Sequence, residues 1–258
     1  MIYKVLMSIR PAILADYLKK LLIIKRKLVK TKFGDYLVDP VSNFGQSLMN
    51  DNVYERELTD YFVTVLKKGD VFVDVGANEG YYSILASKIV GSNGKVFAIE
   101  PQSRLQSVLF NNIDANKSYN IKVFQTAIAD CVGMAKINLT PDTNTGSSGI
   151  FHSTKYRNKT ETIPQTTLSE LFLLTNTRQV DMLKMDIEGF EYYAILGDKS
   201  VFENVKIKNI ALEIHPTVIK RHNLNPNDIV DFLIEQGYKM NEDFIADKDV
   251  DETLLFSI

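Results

Sequence analysis

From residue 71 onward, short runs of β-branched and aromatic residues alternate with stretches patterned as helices, and no other feature restricts the fold as much. The runs VFVDVG (71–76), KVFAIEP (95–101), IKVFQTAIAD (121–130), VDMLKMDIE (180–188) and IKNIALEIHP (207–216) are almost continuously apolar, as strands buried on both faces are. The helical stretches carry their own punctuation. Gly80 opens YYSILASKIV, a second helix runs to about Asn116, and a Thr cap starts TTLSELFLL. Gly197 closes FEYYAILG, and NPNDIVDFLIEQG has Asn225 as cap, Pro226 in its first turn and Gly237 past its end. Upstream, Leu58, Phe62, Val65 and Leu66 predict a helix that Gly69 stops. CVGMAKINLT is expected to be a hairpin arm, residues 141–164 a polar loop that closes over the site, and two short strands around 238–245 and 252–258 the end of the chain. Strands alternating with helices predict a parallel sheet with helices on both faces.

Charge divides the chain. Residues 1–30 hold Lys4, Arg10, Lys19, Lys20, Lys25, Arg26, Lys27 and Lys30 against the single acid Asp16, whereas the remainder is net acidic. The expected organisation is a basic amphipathic extension, 1–30, and a single catalytic domain, 31–258. The extension reads either as a helix packed on the domain or as a helix lying on an anionic membrane surface. Its apolar runs are too interrupted for a bilayer span or a cleavable leader. With an overall net charge of −2, no global basic field argues for nucleic acid. The one cysteine, Cys131, allows no intrachain disulfide and is read as at least partly buried; a cytoplasmic setting, peripheral to a membrane in the second reading, is expected.

In such sheets ligands sit beyond the carboxyl ends of the strands, so the strand ends carry the chemistry. The first strand leads into Asp74-Val-Gly76-Ala-Asn78-Glu-Gly80, and the second ends in Glu100, where a carboxylate can accept from both ribose hydroxyls of an adenosine. That much fits any adenine nucleoside. Three details favour S-adenosyl-L-methionine over a nicotinamide dinucleotide. The glycine that would let a pyrophosphate approach is replaced by Asn78, Asp74 suits an ammonium rather than a phosphate, and the fourth run ends in the acids Asp186 and Glu188. Two residues apart on a strand, those acids are expected on one face.

The run FVDVGANEGYYSILASKIVGSNGKVFAIEP, then TLSEL, then VDMLKMDIEGFEYYAILG, resembles the FkbM-type methyltransferase family, as do Tyr54-Glu55 and ALEIHP. The resemblance covers roughly residues 35–240. It implies a class I, Rossmann-like three-layer sandwich with a mostly parallel seven-stranded sheet and an antiparallel last strand. It also implies S-adenosyl-L-methionine-dependent methylation of a hydroxyl on a sugar, glycan or small-molecule natural product. Glu55, Asp74, Gly76, Ala77, Asn78, Gly80, Tyr81, Glu100 and Pro101 would form the cofactor site, with Ala127 and Ile128 beside the adenine. Asp186 would lie near the reacting methyl, with Glu188 and Glu191 close by. Where the family commonly has Asp after Thr-Leu, this chain has Ser169, which touches only a local cap or loop contact.

Methyl transfer to a hydroxyl needs an aligned oxygen and a group to take its proton. His215 is the candidate base by residue type, Asp186 its rival, and Glu188 the third member of the expected catalytic set. Tyr81 and Tyr82 can meet a sulfonium through their rings or pack on the helix face. His152 and His222 read as surface residues. Asp186, Glu188, Glu213 and His215 carry hard donor atoms, yet no spacing demands a metal and none is expected. Two other classes stand beside the methyltransferase: a nicotinamide-dependent oxidoreductase on the same fold, and a non-catalytic nucleoside-binding protein. Oligomeric state is open.

Overall fold

The computed structural model describes residues 3, 6, 7, 9, 12–141, 145–151, 159–241 and 250–258. In chain order the elements are α1 (Ala12–Leu21), β1 (Lys27–Lys30), β2 (Asp35–Val38), α2 (Asn43–Asp51), α3 (Arg56–Val65), β3 (Val71–Val75), α4 (Tyr81–Val90), β4 (Lys95–Ile99), α5 (Ser103–Ala115), β5 (Ile121–Phe124), β6 (Ala127–Ile128), β7 (Gly133–Leu139) and β8 (Lys159–Thr166). There follow α6 (Leu168–Leu174), β9 (Gln179–Val180), β10 (Met182–Met185), α7 (Glu191–Leu196), α8 (Val201–Asn204), β11 (Lys206–Ile207), β12 (Asn209–Ile214), α9 (Pro216–Arg221), α10 (Asn227–Glu235), β13 (Lys239–Met240) and β14 (Glu252–Ser257).

Seven strands form the central sheet in the order β13-β14-β12-β10-β3-β4-β5. The five from β12 to β5 are mutually parallel, and β14 runs antiparallel between β12 and β13. This is the expected mostly parallel seven-stranded sheet with its antiparallel last strand. Side chains alternate across it and supply two cores. Val73, Val75, Leu183, Met185, Ile210 and Leu212 face a layer that includes Leu168, Leu171, Ala194, Ile195, Ile229 and Leu233 of α6, α7 and α10. Phe72, Val96, Met182 and Ala211 face the opposite layer, with Phe62 of α3, Ile84 and Leu85 of α4, and Tyr36 and Val38 of β2. Both faces are covered, which is why these strands read as continuous apolar runs.

Several expectations need correcting. The fourth run is a strand only to Met185; Glu188 (φ +57°) and Gly189 (φ +96°) turn the chain out of the sheet three and four residues later. Asp186 and Glu188 are therefore not held on one face by strand alternation. The polar stretch 141–164 is not all loop. Its last residues begin β8, which pairs antiparallel with β7 from Gly133↔Gln165 to Leu139↔Lys159. This strand reads as polar because one face is wet; Ile163 and Ile137 bury a small separate core with Ala127. Pro226, not Asn225, is the N-cap of α10, and Asn225 accepts through Oδ1 from the Asn227 N–H at 3.2 Å. Cys131 is exposed. Ser169 makes no local cap, which Thr167 supplies; its N–H and hydroxyl donate to the carboxylate of the distant Asp198 at 2.7 and 2.6 Å.

The 30/31 border falls inside the β1–β2 hairpin, where Lys30 faces Asp35. Lys19 of α1 pairs with the buried Asp39, and Arg26 grips Glu79 with two bonds of 2.7 and 2.9 Å. Glu79 belongs to the loop after β3 and is 4% exposed. Burial raises its pKa, and the Arg26 guanidinium acts against that. Arg26→Ala would strand a buried carboxylate. The expected loss of stability is on the order of 2 kcal/mol, less than for a fully enclosed pair because Arg26 is partly exposed. Urea midpoints test this, and adding Glu79→Gln should restore part of the loss by removing the unpaired charge. Among the described residues no helix is long and apolar enough to cross a membrane.

Candidate active site

The turn after β3 is held tightly. The N–H groups of Gly76 and Ala77 both donate to the Ile99 carbonyl, at 3.0 and 2.9 Å. Gly76 adopts φ +85°, and a Cβ there would lie 1.9 Å from the Asp186 carbonyl oxygen, so the exits of β3 and β10 touch at a position open only to glycine. Glu100, just past β4, accepts from the Asn78 N–H through Oε2 and the Gln102 N–H through Oε1, both at 2.9 Å. Its carboxylate is thereby fixed with lone pairs left over for further donors. Burial pushes its pKa up to about 7 against the pull of those two backbone donors.

Two adjoining clefts open along this turn. The larger, about 600 Å³, is lined by Gly76, Asn78, Glu100, Pro101, Ala127, Ile128, Asp186 and Glu188, with Ile99 and Ile137 as apolar wall. The second, about 420 Å³, is lined by Glu55, Ala77, Tyr81, Tyr82 and Lys184 and shares Gly76, Asn78 and Asp186 with the first. Most of the residues expected at the cofactor thus converge. Asp74 and Gly80 line neither cleft. Asp74 is 1% exposed beneath the turn, accepting from the Ser83 hydroxyl at 2.6 Å, with Lys184 Nζ 4.0 Å away. Gly80 caps α4 with φ +90° and packs toward Leu109. Tyr82 donates its hydroxyl to Glu55 at 2.6 Å, and Lys184 Nζ lies 5.6 Å from its ring centroid. The Tyr81 hydroxyl meets Thr59 at 3.1 Å, and its ring packs amid Tyr36, Phe44 and Tyr54.

Where the clefts meet, charge is concentrated. Lys184 Nζ is 3.4 Å from Asp186 Oδ2, and the surrounding carboxylates hold its pKa above the usual value although burial acts the other way. His215, at the end of β12, is 3% exposed and lies behind Asp186 and Glu188: its Nε2 is 3.9 Å from Asp186 Oδ1 and 3.6 Å from Glu188 Oε2. Its Nδ1 is 3.1 Å from Glu191 Oε1, which also accepts from the Ile187 and Gly189 N–H groups. Burial alone would lower the His215 pKa; Glu191, Asp186 and Glu188 outweigh it and push it up to about 10. Those carboxylates thus favour the protonated imidazole, unlike the near-neutral base its residue type suggests. Burial raises Glu188 to about 8 and Glu213 to about 7.

The cover expected of the 141–164 stretch is supplied, among its described residues, by Gly146, Ser148, Gly149 and Ile150, which line the larger cleft. Thr145 donates to Asn78 Oδ1 at 3.2 Å, and Arg104 donates to Ser148 at 2.9 Å and to the Thr140 carbonyl at 2.7 Å. The approach is close: a Cβ on Gly149 would meet that of Glu188 at 3.1 Å. His222 is exposed and stacks on Phe151 with ring centroids 3.7 Å apart; His152 lies outside the described residues.

Comparison with known proteins agrees with this architecture. The pattern of the methyltransferase FkbM domain matches residues 74–240. The chain belongs to the FkbM methyltransferase family. Among solved structures it is similar to the FkbM methyltransferase of Methylobacillus flagellatus (16% identity, 78% of this chain and 50% of that one, TM-score 0.46). It is also similar to Aeropyrum pernix fibrillarin in complex with S-adenosyl-L-methionine (12%, 79% and 74%, TM-score 0.45) and to an S-adenosylmethionine-dependent O-methyltransferase of Thermotoga maritima (14%, 90% and 84%, TM-score 0.45). No curated protein matches. S-adenosyl-L-methionine is the cofactor expected of an FkbM methyltransferase, and the residues fit it: Glu100 presents a fixed acceptor for ribose hydroxyls, Ile99, Ala127 and Ile128 offer an apolar wall to the adenine, and the glycine turn leaves room along Gly76. Glu100 also gives the site a pH dependence. Protonation below about pH 7 removes acceptor capacity, so cofactor affinity should fall with decreasing pH, by at most tenfold per unit. Titration calorimetry with S-adenosylhomocysteine between pH 5.5 and 8 reads this; a flat profile would show that Glu100 stays ionised across the range.

Proposed function

We propose that this FkbM methyltransferase transfers a methyl group from S-adenosyl-L-methionine to a hydroxyl oxygen of a sugar, glycan or small-molecule acceptor. The supporting observation is Asp186, shared by both clefts and set against Glu188 and His215. When bound, the cofactor supplies a methyl group activated on a sulfonium. The chain's own residues do the rest. Gly76, Asn78 and Glu100 hold the nucleoside end, and Asp186 and Glu188 meet the acceptor hydroxyl where the clefts join. As the acceptor oxygen took the methyl group and the sulfur left with the bonding electrons, a carboxylate of Asp186 or Glu188 would take up the hydroxyl proton. A hydroxyl needs such a proton acceptor more than a neutral amine does, which favours O-methylation. The 145–150 segment excludes water from the larger cleft.

The test pairs binding with turnover. Thermal melts with S-adenosylmethionine, S-adenosylhomocysteine and NAD should show stabilisation by the sulfur nucleosides only, about 2.7 kcal/mol at ~100 times the dissociation constant, and Glu100→Gln should lose most of it. Radiolabelled methyl transfer to a panel of hydroxyl and amine acceptors then reads the chemistry. A shift with NAD alone would point to the oxidoreductase reading. Binding without transfer to any acceptor would favour a non-catalytic nucleoside-binding protein.

A further inference from the structure

We propose that Asp186, Glu188 and His215 form a site for a divalent cation of the Mg²⁺ or Mn²⁺ class, a proposal that rests on the methyltransferase reading for its purpose but not for its test. One donor atom from each of the three lies within 4.8 Å of the others. His215 Nε2 stands 3.6 Å from Glu188 Oε2 and 3.9 Å from Asp186 Oδ1, too far for hydrogen bonds. Those separations fall between the spacings of adjacent and opposite ligands around an ion with ~2.1 Å bonds, about 3 and about 4.2 Å. The second observation is the imidazole itself. His215 is 3% exposed, Nδ1 is engaged by Glu191, and among the described residues Nε2 makes no hydrogen bond while facing both acids.

Glu191 completes the arrangement. It is fully buried, and the backbone N–H groups of Ile187 and Gly189 hold its Oε1 at 3.0 and 3.2 Å. A fixed carboxylate on Nδ1–H aims Nε2 toward the acids, where a bound ion would take the place of its proton; this is the outer-shell device that orients metal-binding histidines. Asp186 directs Oδ2 to Lys184 and keeps Oδ1 for the ion. The two carboxylates are hard donors and the imidazole a borderline one, a set unsuited to a soft thiophilic metal. An octahedral ion held by three protein atoms keeps positions for water and for an acceptor hydroxyl, which it positions and acidifies. The second oxygen of Glu188 stays free of the ion and can take the hydroxyl proton.

Mn²⁺ titration of the chelator-treated full chain, read by electron paramagnetic resonance, tests this without turnover. The expected result is one Mn²⁺ per chain, displaced by Mg²⁺, with affinity reduced tenfold or more in Glu188→Gln and in Glu191→Gln. Absence of bound Mn²⁺, or affinity unchanged in both variants, overturns the proposal. Melting curves with S-adenosylhomocysteine on the same samples show that each variant is folded. They also separate the two ideas: a cofactor shift without Mn²⁺ binding sinks the cation site alone, and Mn²⁺ binding without a cofactor shift sinks the methyltransferase reading alone.

A different observation carries a second proposal. α1 ends in a turn where the Ile24 N–H donates to the Lys19 carbonyl and the Ile23 N–H to the Lys20 carbonyl, both at 3.1 Å. The left-handed position of that turn, normally glycine, is Ile23 (φ +52°), and Ile23 is 73% exposed. Leu14, Tyr17, Leu21 and Leu22 are exposed beside it, and the exposed Lys20, Lys25 and Lys27 neighbour them in sequence. An apolar tip with a cationic rim matches the boundary of an anionic bilayer, and we infer that this surface docks there. Flotation with phosphatidylserine-containing vesicles should carry the protein, phosphatidylcholine vesicles should not, and Leu21→Ser with Ile23→Asn should reduce binding at least tenfold. Unchanged binding overturns the inference, as does a change of oligomeric state in that variant without any vesicle binding by the parent chain.

Discussion

Gly76→Ala is expected to remove cofactor binding and much of the fold's stability together. The added Cβ would stand 1.9 Å from the carbonyl oxygen and 3.1 Å from the carbonyl carbon of Asp186. Neither is the end of a flexible side chain; both belong to the backbone leaving β10. Relief requires parting the exits of β3 and β10, which pair through Val75↔Met185 and are tied by the Asp186 N–H donating to the Val75 carbonyl at 3.0 Å. A left-handed backbone costs a non-glycine residue about 1–2 kcal/mol, and overpacking adds about 1–3 kcal/mol. That is a large part of the roughly 5–15 kcal/mol that holds a domain folded. Gly69→Ala is the control. Gly69 has nearly the same φ, +90°, but a Cβ there meets nothing within 4 Å, so only the backbone cost should appear. Urea midpoints and S-adenosylhomocysteine calorimetry on both variants decide this. Equal losses would show that the close approach at Asp186 does not matter.

Asp186→Asn should do the reverse: it should spare binding and stop transfer. Its side chain is about one-third exposed at the junction of the clefts, with Lys184 Nζ at 3.4 Å and His215 Nε2 at 3.9 Å. The amide keeps the size and one acceptor oxygen but loses the charge, both for taking up a proton and for binding an ion. The expected fall in kcat is about 10²–10⁴-fold, the usual range for removing a positioned acid–base group. The dissociation constant for S-adenosylhomocysteine should change by no more than a few-fold, because Glu100 and the glycine turn hold the nucleoside. Single-turnover rates and calorimetry on one preparation separate the two effects. A tenfold or larger loss of cofactor affinity with the single-turnover rate intact would remove Asp186 from the chemistry and make it a binding residue.

Much of this site is written locally. A buried strand declares itself by a continuous apolar run, an amphipathic helix by its spacing, and a turn that needs positive φ by its glycine. For that reason β3, α4, β4, the Gly76 turn and the position of Glu100 were legible from sequence, as was the family resemblance that their order carries. Asp186 and Glu188 were recognisable as strand-end acids for the same reason. Their geometry was not. Strand alternation stops at Met185, and the left-handed Glu188 then sets the direction of its own side chain.

Only the tertiary structure decided which groups meet. The parallel register of β10 and β12, with Met185 opposite Leu212, brings His215 behind two acids nearly thirty residues earlier in the chain, and the turn into α7 places Glu191 on its other nitrogen. The clasp of Arg26 on Glu79 and the cover of Gly146 to Ile150 over Asn78 and Glu188 are likewise contacts across long chain separations. Composition and periodicity report whether a residue is buried and in what local backbone, because both depend on near neighbours. The partner of a buried charge depends on crossovers and register, and so does the direction in which a histidine's pKa moves; no local pattern encodes either.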